Sequence, residues 1–314
     1  MWAVVIALLP ASAMGIYFFG WNVLFLIVAS VITAVVTEYV IQKWRGVKNT
    51  SLDGSAVVTG LLLALIVTPA LPVKYIIIGS FFSIAIGKQV FGGLGMNIWN
   101  PALAGRAFLQ VAYAQVMNAS WLLPRNSQIA ETHATPLAAV KEHIASGAAS
   151  VEALYEGVPD WISLAKGNIQ GCAGETSAIA IIVGGLFLMY LRIIDWRIPL
   201  FYIGTAVLFC WALPVRIGGE MAWCTSDPLF HLFSGGLLLG GFFMATDMVT
   251  TPVTHTGRII FACGGGLLVA CIRIFGGYPE GVCYSILIMN TAVPLIDKWT
   301  RPKPFGFAKE KKNG

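Results

Sequence analysis

Charge is what this sequence has least of. Only 11% of its 314 residues are Asp, Glu, Lys or Arg, against 57% hydrophobic, and apolar runs of bilayer-spanning length recur along it. That balance excludes a soluble globular class, and no nucleic-acid partner is expected. Metal-binding spacings are missing as well. The six cysteines, Cys172, Cys210, Cys224, Cys263, Cys271 and Cys283, include no CxxC pair, so buried, inert thiol is expected rather than metal or cluster ligation. Four histidines are dispersed, and HExxH, GxSxG, Walker and GxGxxG patterns find no supporting context, which leaves hydrolase and nucleotidase chemistry without a foothold. Met1 to Phe19 lacks the charged start and small-residue cleavage site of a signal peptide and reads as a membrane span.

Apolar runs bounded by charges, Gly and Pro place spans near 2–19, 22–41, 55–71, 73–90, 98–118, 177–191, 198–213, 229–246, 258–272 and 281–297. The expected fold is therefore an all-α integral membrane protein of about ten transmembrane helices. With the N-terminus inside, the basic residues Lys43, Arg45, Lys48, Arg192, Arg197 and those of the tail 298–314 fall on the cytoplasmic side, as topology rules favour. The long polar stretch 121–176 then lies outside and is predominantly acidic. Several spans are broken by Gly and Pro. Pro69 precedes Gly92 by 23 positions and Pro252 precedes Gly276 by 24, with GLLLAL before the first and GGLLLG before the second. This recurrence predicts two repeats of about five spans, 1–120 and 177–297, inverted relative to each other because the number of spans per repeat is odd.

The polar motifs sit at segment ends. FGGLGMNIWNPALAGR (91–106) gathers Asn97, Asn100 and Arg106 with flexible backbone, suited to a polar planar ligand or to closing a broken helix. GNIQGCAGETSA (167–178), with Gly171, Gly174, Glu175 and Thr176, opens into an apolar helix, where free N–H groups attract phosphate and where Thr176 or Ser177 would also serve as a cap. MATDMVTTPVTHTGR (244–258) puts Asp247 and Thr251 at a helix break. Thr135, followed by Pro136 and closed by Gly147, reads as the N-cap of a short helix. The same geometry would serve a threonine esterified to a phosphate, held at the positive end of that helix.

The runs IWNPALAGRAF, GETSAIAIIVGGLFLMYLRIIDWRIP, MATDMVTTPVTHTGRIIF and IRIFGGYPEGVCYSILIMN resemble, over essentially the whole chain and in order, the RnfD subunits of Rnf complexes, which are similar to the NqrB subunits of sodium-pumping NADH:quinone reductases. The resemblance implies ten spans in inverted repeats, with a urea-transporter-like fold. It implies an electron-transfer subunit, inactive alone, of an ion-translocating ferredoxin:NAD+ oxidoreductase in the bacterial or archaeal cytoplasmic membrane. It further implies FMN joined through a phosphoester to Thr135, the last residue of Thr132-His133-Ala134-Thr135, by a flavin transferase outside the cytoplasm. His133 stands where the family has glycine, and Ile129 where the transferase motif has aspartate. The FMN ring is expected against the 167–177 run and parts of 97–106, and a second, non-covalent flavin (riboflavin) in the 247–256 region. Implied partners are the cluster-carrying membrane subunits, a periplasm-facing FMN subunit, the cytoplasmic NADH and ferredoxin subunits, Na+ or H+, and lipid.

Glu38, Lys88, Arg106, Asp247 and Arg273 are the charges at membrane depth or edge that could couple to ions, unless each is paired structurally. Two rival readings keep the membrane fold. A urea-transporter-like channel needs no flavin, and a bare anchor for redox partners needs no Thr135.

Overall fold

A computed structural model describes residues 1–118, 121–122, 124, 135–147, 149–278 and 280–302. Ile129, Thr132, His133 and most of the basic tail lie outside the described residues.

The first part of the chain forms α1 (Trp2–Phe19), α2 (Trp21–Trp44), α3 (Ser55–Leu65), α4 (Val73–Ile84), α5 (Pro101–Ala112) and α6 (Ala114–Asn118). The middle carries α7 (Pro136–Ala145), α8 (Val151–Leu154) and α9 (Trp161–Lys166). The last part comprises α10 (Ala178–Tyr190), α11 (Arg197–Ala212), α12 (Pro228–Phe233), α13 (Leu237–Leu239), α14 (His255–Phe275) and α15 (Val282–Thr300). Among the described residues, α1, α2 and α14 are each long and apolar enough to cross a membrane, and α3, α10 and α11 are shorter apolar helices. The chain is a multi-pass membrane protein.

Helix faces follow from side-chain spacing. On α2, Phe25, Val28, Ile32 and Val36 recur every three or four residues and are exposed, a stripe suited to lipid. Val23, Leu26, Ser30, Ala34 and Glu38 occupy the opposite, buried face. There α2 packs on α3 and α4, and α4 on α5; in the last part, α11 packs on α14 and α14 on α15. The two parts meet where α1 runs along α10 and α5 touches α15. Small residues allow the approach. A Cβ on Gly60 of α3 would stand 2.8 Å from Val31 Cα and 2.9 Å from the Ser30 carbonyl oxygen. Ser30 Oγ donates to the Gly60 carbonyl at 2.7 Å and Ser80 Oγ to the Ser30 carbonyl at 2.7 Å, so α2, α3 and α4 are tied through short polar side chains.

Four of the expected spans differ in detail. The stretch 229–246 is not one helix: α12 ends at Phe233, Gly235 takes φ +66°, and α13 runs on into a π-helical turn at Gly240–Met244. The stretch 55–71 is helical only to Leu65, and 98–118 starts at Pro101, because Asn100 Oδ1 accepts from the N–H groups of Ala102 and Leu103. The stretch 73–90 also ends in a π-helical turn, Ala85–Gln89. The all-α expectation omitted a small antiparallel hairpin, β1 (Val215–Ile217) with β2 (Glu220–Ala222), turned by Gly218 and Gly219, both at positive φ.

The middle segment is anchored. Leu137 and Val140 of α7, Leu164 of α9 and Ile169 form a small core closed by Phe230 of α12, and 167–177 then returns into the helical bundle. Gly174 N–H donates to the Leu65 carbonyl at 2.7 Å, and Cys172 Sγ to the Ile66 carbonyl at 3.3 Å.

The close contact at Gly60 yields a test. Gly60→Val should lower stability in detergent by about 1–3 kcal/mol through overpacking, whereas Gly204→Ala on α11, where an added Cβ meets nothing within 4 Å, should leave it unchanged; thermal unfolding of the purified variants reads both.

Candidate functional site

The residues singled out from sequence fall into two groups rather than one. The first surrounds Thr135. Its side chain caps α7, Oγ1 accepting from the Ala138 N–H at 3.3 Å, with Pro136 at the first helical position and Gly147 at φ +80° beyond the end, as the sequence pattern requires. Thr135 is buried and lines a narrow cleft with Gln170, Gly171, Glu175, Gly235 and Glu280. Behind the cleft lies Arg106. Its guanidinium pairs closely with Glu280 and lies 4.0 Å from Glu175 Oε1. Burial pushes the Glu175 carboxyl up to about 8, the negative charge of Glu280 adding to the rise and Arg106 opposing it.

The glycine run does not offer a row of free N–H donors. Gly174 N–H is given to Leu65 and Glu175 N–H to the Cys172 carbonyl at 3.0 Å, while Ser177, not Thr176, caps α10 by accepting from Ala180 N–H. A Cβ on Gly174 would stand 2.7 Å from Leu65 Cβ. Gly174 is therefore small for packing against the broken end of α3. Thr176 Oγ1 turns to the Ala173 carbonyl at 3.2 Å. Gly174 and Thr176 thus serve packing and local hydrogen bonding, and of that run's marked residues Gly171 and Glu175 reach the cleft.

The second group lines a separate cavity of about 150 Å³ that includes Ser55, Lys88, Asn97, Asn100 and Asp247. Asn97 and Asn100, grouped with Arg106 in the sequence motif, thus line a different space from the cleft beside Thr135. Six residues along one helix separate Asn100 from Arg106 by about 9 Å, and the two ends of that stretch face different spaces. Asn97 Nδ2 donates to the Trp99 carbonyl at 3.0 Å, and Asn100 Nδ2 to the Met244 carbonyl at 3.3 Å, where the π-helical turn ends. Asp247 accepts from Val249 N–H and Thr250 Oγ1, both at 3.3 Å, and burial raises its carboxyl above the usual range. Thr251 Oγ1 donates to the Asp247 carbonyl at 2.9 Å and faces a neighbouring open cleft of about 670 Å³, lined also by Arg192, Asp195, Trp196 and Arg258. There Asp195 sits below the usual carboxylate range: partial burial pushes upward, but the Arg197 N–H and the Arg258 and Arg197 guanidinium groups outweigh it.

Two of the charges weighed for ion coupling are paired with each other. Lys88 Nζ lies 2.8 and 2.9 Å from the two oxygens of Glu38 and 2.6 Å from Ser55 Oγ, and Gln42 and Gln89 donate to Glu38 Oε1 at 3.1 and 3.0 Å. Arg273 donates to the His231 carbonyl at 2.7 Å and the Ser234 carbonyl at 2.9 Å, serving the break after α12. Sequence reasoning leaves Glu280 unmarked. Its signal is a carboxylate set between Pro279 and Gly281, directly ahead of an apolar run.

A family model described as "NQR2, RnfD, RnfE family" matches residues 1–306. The chain belongs to this family. Among its relatives, a protein of Clostridium ljungdahlii named as the D subunit of a proton-translocating ferredoxin:NAD(+) oxidoreductase complex is 46% identical over 310 residues, covering 98% of this chain and 91% of that one. The D subunit of the Na(+)-translocating ferredoxin:NAD(+) oxidoreductase complex of Acetobacterium woodii is 45% identical over 309 residues, covering 98% and 91%. The D subunit of an ion-translocating oxidoreductase complex of Stutzerimonas stutzeri is 38% identical over 328 residues, covering 96% and 90%.

The Glu38–Lys88 pair is 0% and 1% exposed, so removing one partner strands a charge. Lys88→Met should cost about 3–5 kcal/mol, and Lys88→Met combined with Glu38→Gln should recover most of it; equilibrium unfolding of the three proteins in detergent measures the difference.

Proposed function

We propose that this chain is the D-type membrane subunit of an Rnf-type complex, passing electrons between ferredoxin and NAD+ through flavins and coupling that flow to movement of H+ or Na+. The observation that carries the reading is the near end-to-end match to relatives named as that subunit. Within it, the helices make about ten spans in two inverted repeats, 1–120 and 177–297. The equivalent packing of α2 on α4 and α11 on α14, and the meeting of α1 with α10 and of α5 with α15, support this arrangement. The basic loops and the tail 298–314 favour termini in the cytoplasm and 121–176 outside.

The flavin is FMN on Thr135, attached through a phosphoester by a dedicated transferase. Thr135 suits the attachment: its oxygen stands at the start of α7, where the helix offers N–H groups and the positive end of its dipole to a phosphate. The enclosed space beside it is about 10 Å³, so a ring carried there lies outside that space. When bound, the isoalloxazine supplies one- and two-electron redox chemistry that no side chain here can perform. The chain's own residues hold and orient it: Thr135 by the ester, Arg106, Glu175 and Glu280 by the charge they set beside it. A second, non-covalent flavin, riboflavin, is assigned to the 247–256 region, where the cleft of about 670 Å³ falls in the size range of small-molecule sites. The other subunits of the complex are the partners for electron entry and exit.

The attachment is read by in-gel flavin fluorescence after denaturing electrophoresis, with peptide mass mapping, of protein co-expressed with the transferase. Parent protein should fluoresce at full intensity and Thr135→Val not at all; a dark parent band beside a fluorescent control substrate sinks the covalent flavin.

A further inference from the structure

Between Thr135 and Arg106 the charges do not cancel. One guanidinium faces two carboxylates, and Cys172 Sγ, Glu175 and Glu280 offer atoms all within 4.8 Å of one another. Arg106 commits itself to Glu280 and stays 4.0 Å from Glu175 Oε1. That oxygen is buried and has no hydrogen-bond partner among the described residues. Two carboxylates this close, with water largely excluded, do not both ionise against a single positive charge. A metal ion would be repelled by Arg106, and burial raises the Cys172 thiol well above its ordinary value, which keeps it from serving as a thiolate. The groups facing Glu175 are Arg106 from α5, Glu280 from the segment before α15 and Cys172 from its own segment, with Cys283 of α15 acting on Arg106; Arg273 of α14 lies across Gly235 from Glu280 but gives its N–H groups to the His231 and Ser234 carbonyls. Of these, Glu175, whose carboxyl burial lifts to about 8, is the group placed to exchange a proton near neutrality. The cleft that joins them to Thr135 is about 10 Å³ and has Gln170 and both glutamates in its wall, enough for one hydrogen-bonded water.

We propose that Glu175 and Glu280 share a single proton, and that Glu175 exchanges it through this water-sized cleft with the redox group carried on Thr135. The second half of this rests on the flavin reading above. For each electron the complex delivers to that group, one O–H bond of Glu175 breaks and its proton passes to the group. The added negative charge then resides on the carboxylate pair beside Arg106, and a proton from the outer aqueous side restores the O–H bond. On oxidation the pair first releases its proton to the outer aqueous side, and the group's proton then returns to Glu175. The pair places the negative charge where a fixed cation already stands, instead of on the ring.

Two measurements separate the proton site from the flavin. In flavin-free Thr135→Val protein, infrared titration should show a protonated-carboxyl band that persists through neutral pH and fades as pH rises through about 8; adding Glu175→Gln should remove it. Titration of every carboxyl band in the ordinary acid range overturns the shared proton. In the flavin-loaded protein, the midpoint potential should fall with a break at about 8, because the singly protonated pair, neutral overall with Arg106, favours reduction and the fully ionised pair opposes it. Glu175→Gln should lose that break, and Glu175→Asp should keep it at a shifted pH, which guards against a folding defect in the glutamine variant. An unaltered break in Glu175→Gln overturns the exchange with the flavin still in place, whereas failure of the attachment leaves the infrared result standing by itself.

Discussion

Main-chain carbonyls freed inside a membrane protein have no water to turn to, and the rest of this structure is arranged around supplying them with donors. Where α3 stops at Leu65, the donors arrive from the segment before α10, as Gly174 N–H and Cys172 Sγ, while Asn22 Nδ2 serves the Pro69 carbonyl. Where α12 stops at Phe233, Arg273 from α14 spans two carbonyls. Where the π-helical turn ends at Met244, Asn100 reaches across from the other half. Each unmet group would cost several kcal/mol in a hydrocarbon setting. The breaks therefore persist only because the two halves interlock, and the same breaks open the spaces into which Thr135, Glu175 and Asp247 project.

The sequence made the helices and the breaks legible for a simple reason. Apolar runs and Gly or Pro interruptions are local, and the bilayer forces every span to be helical. Thr135 as a cap was equally local, since Ser/Thr before Pro at a helix start has one dominant geometry. What could not be read was the division of labour within a motif. Asn97, Asn100 and Arg106 sit within ten residues of each other, yet the helix that begins at Pro101 carries Arg106 towards Glu280 while the asparagines stay by Asp247. The glycine run before α10 had the composition of a phosphate cradle, but its donors go to α3, a contact over a hundred positions away that no local pattern encodes. Glu280 carries no local mark of its role, because its meaning comes from Arg106 and Glu175, on two other segments.

Function and fold draw on the same residues here. Arg106, at the middle of α5, neutralises one carboxylate and leaves the other with a proton to exchange. Lys88, by contrast, is engaged by Glu38 and Ser55, while the amides of Gln42 and Gln89 donate to Glu38, and Lys88 and Ser55 stand in the wall of the cavity near Asp247. One buried charge is left unbalanced beside the cleft and the other is balanced deep in the bundle, a distinction that exposure alone does not draw.

The tie between Ile66 and Cys172 also has a history in time. The partners are 106 residues apart in sequence, so at ordinary synthesis rates the donor emerges roughly 5–20 s after the carbonyl it serves. During that interval the Leu65 and Ile66 carbonyls of the nascent first half wait for the donors that serve them in the folded chain. Its early spans must then be sheltered by the insertion machinery or held at the lipid–water boundary until the later ones arrive, and a ribosome stall between the two would leave a fragment recognisable to quality control by those uncovered ends.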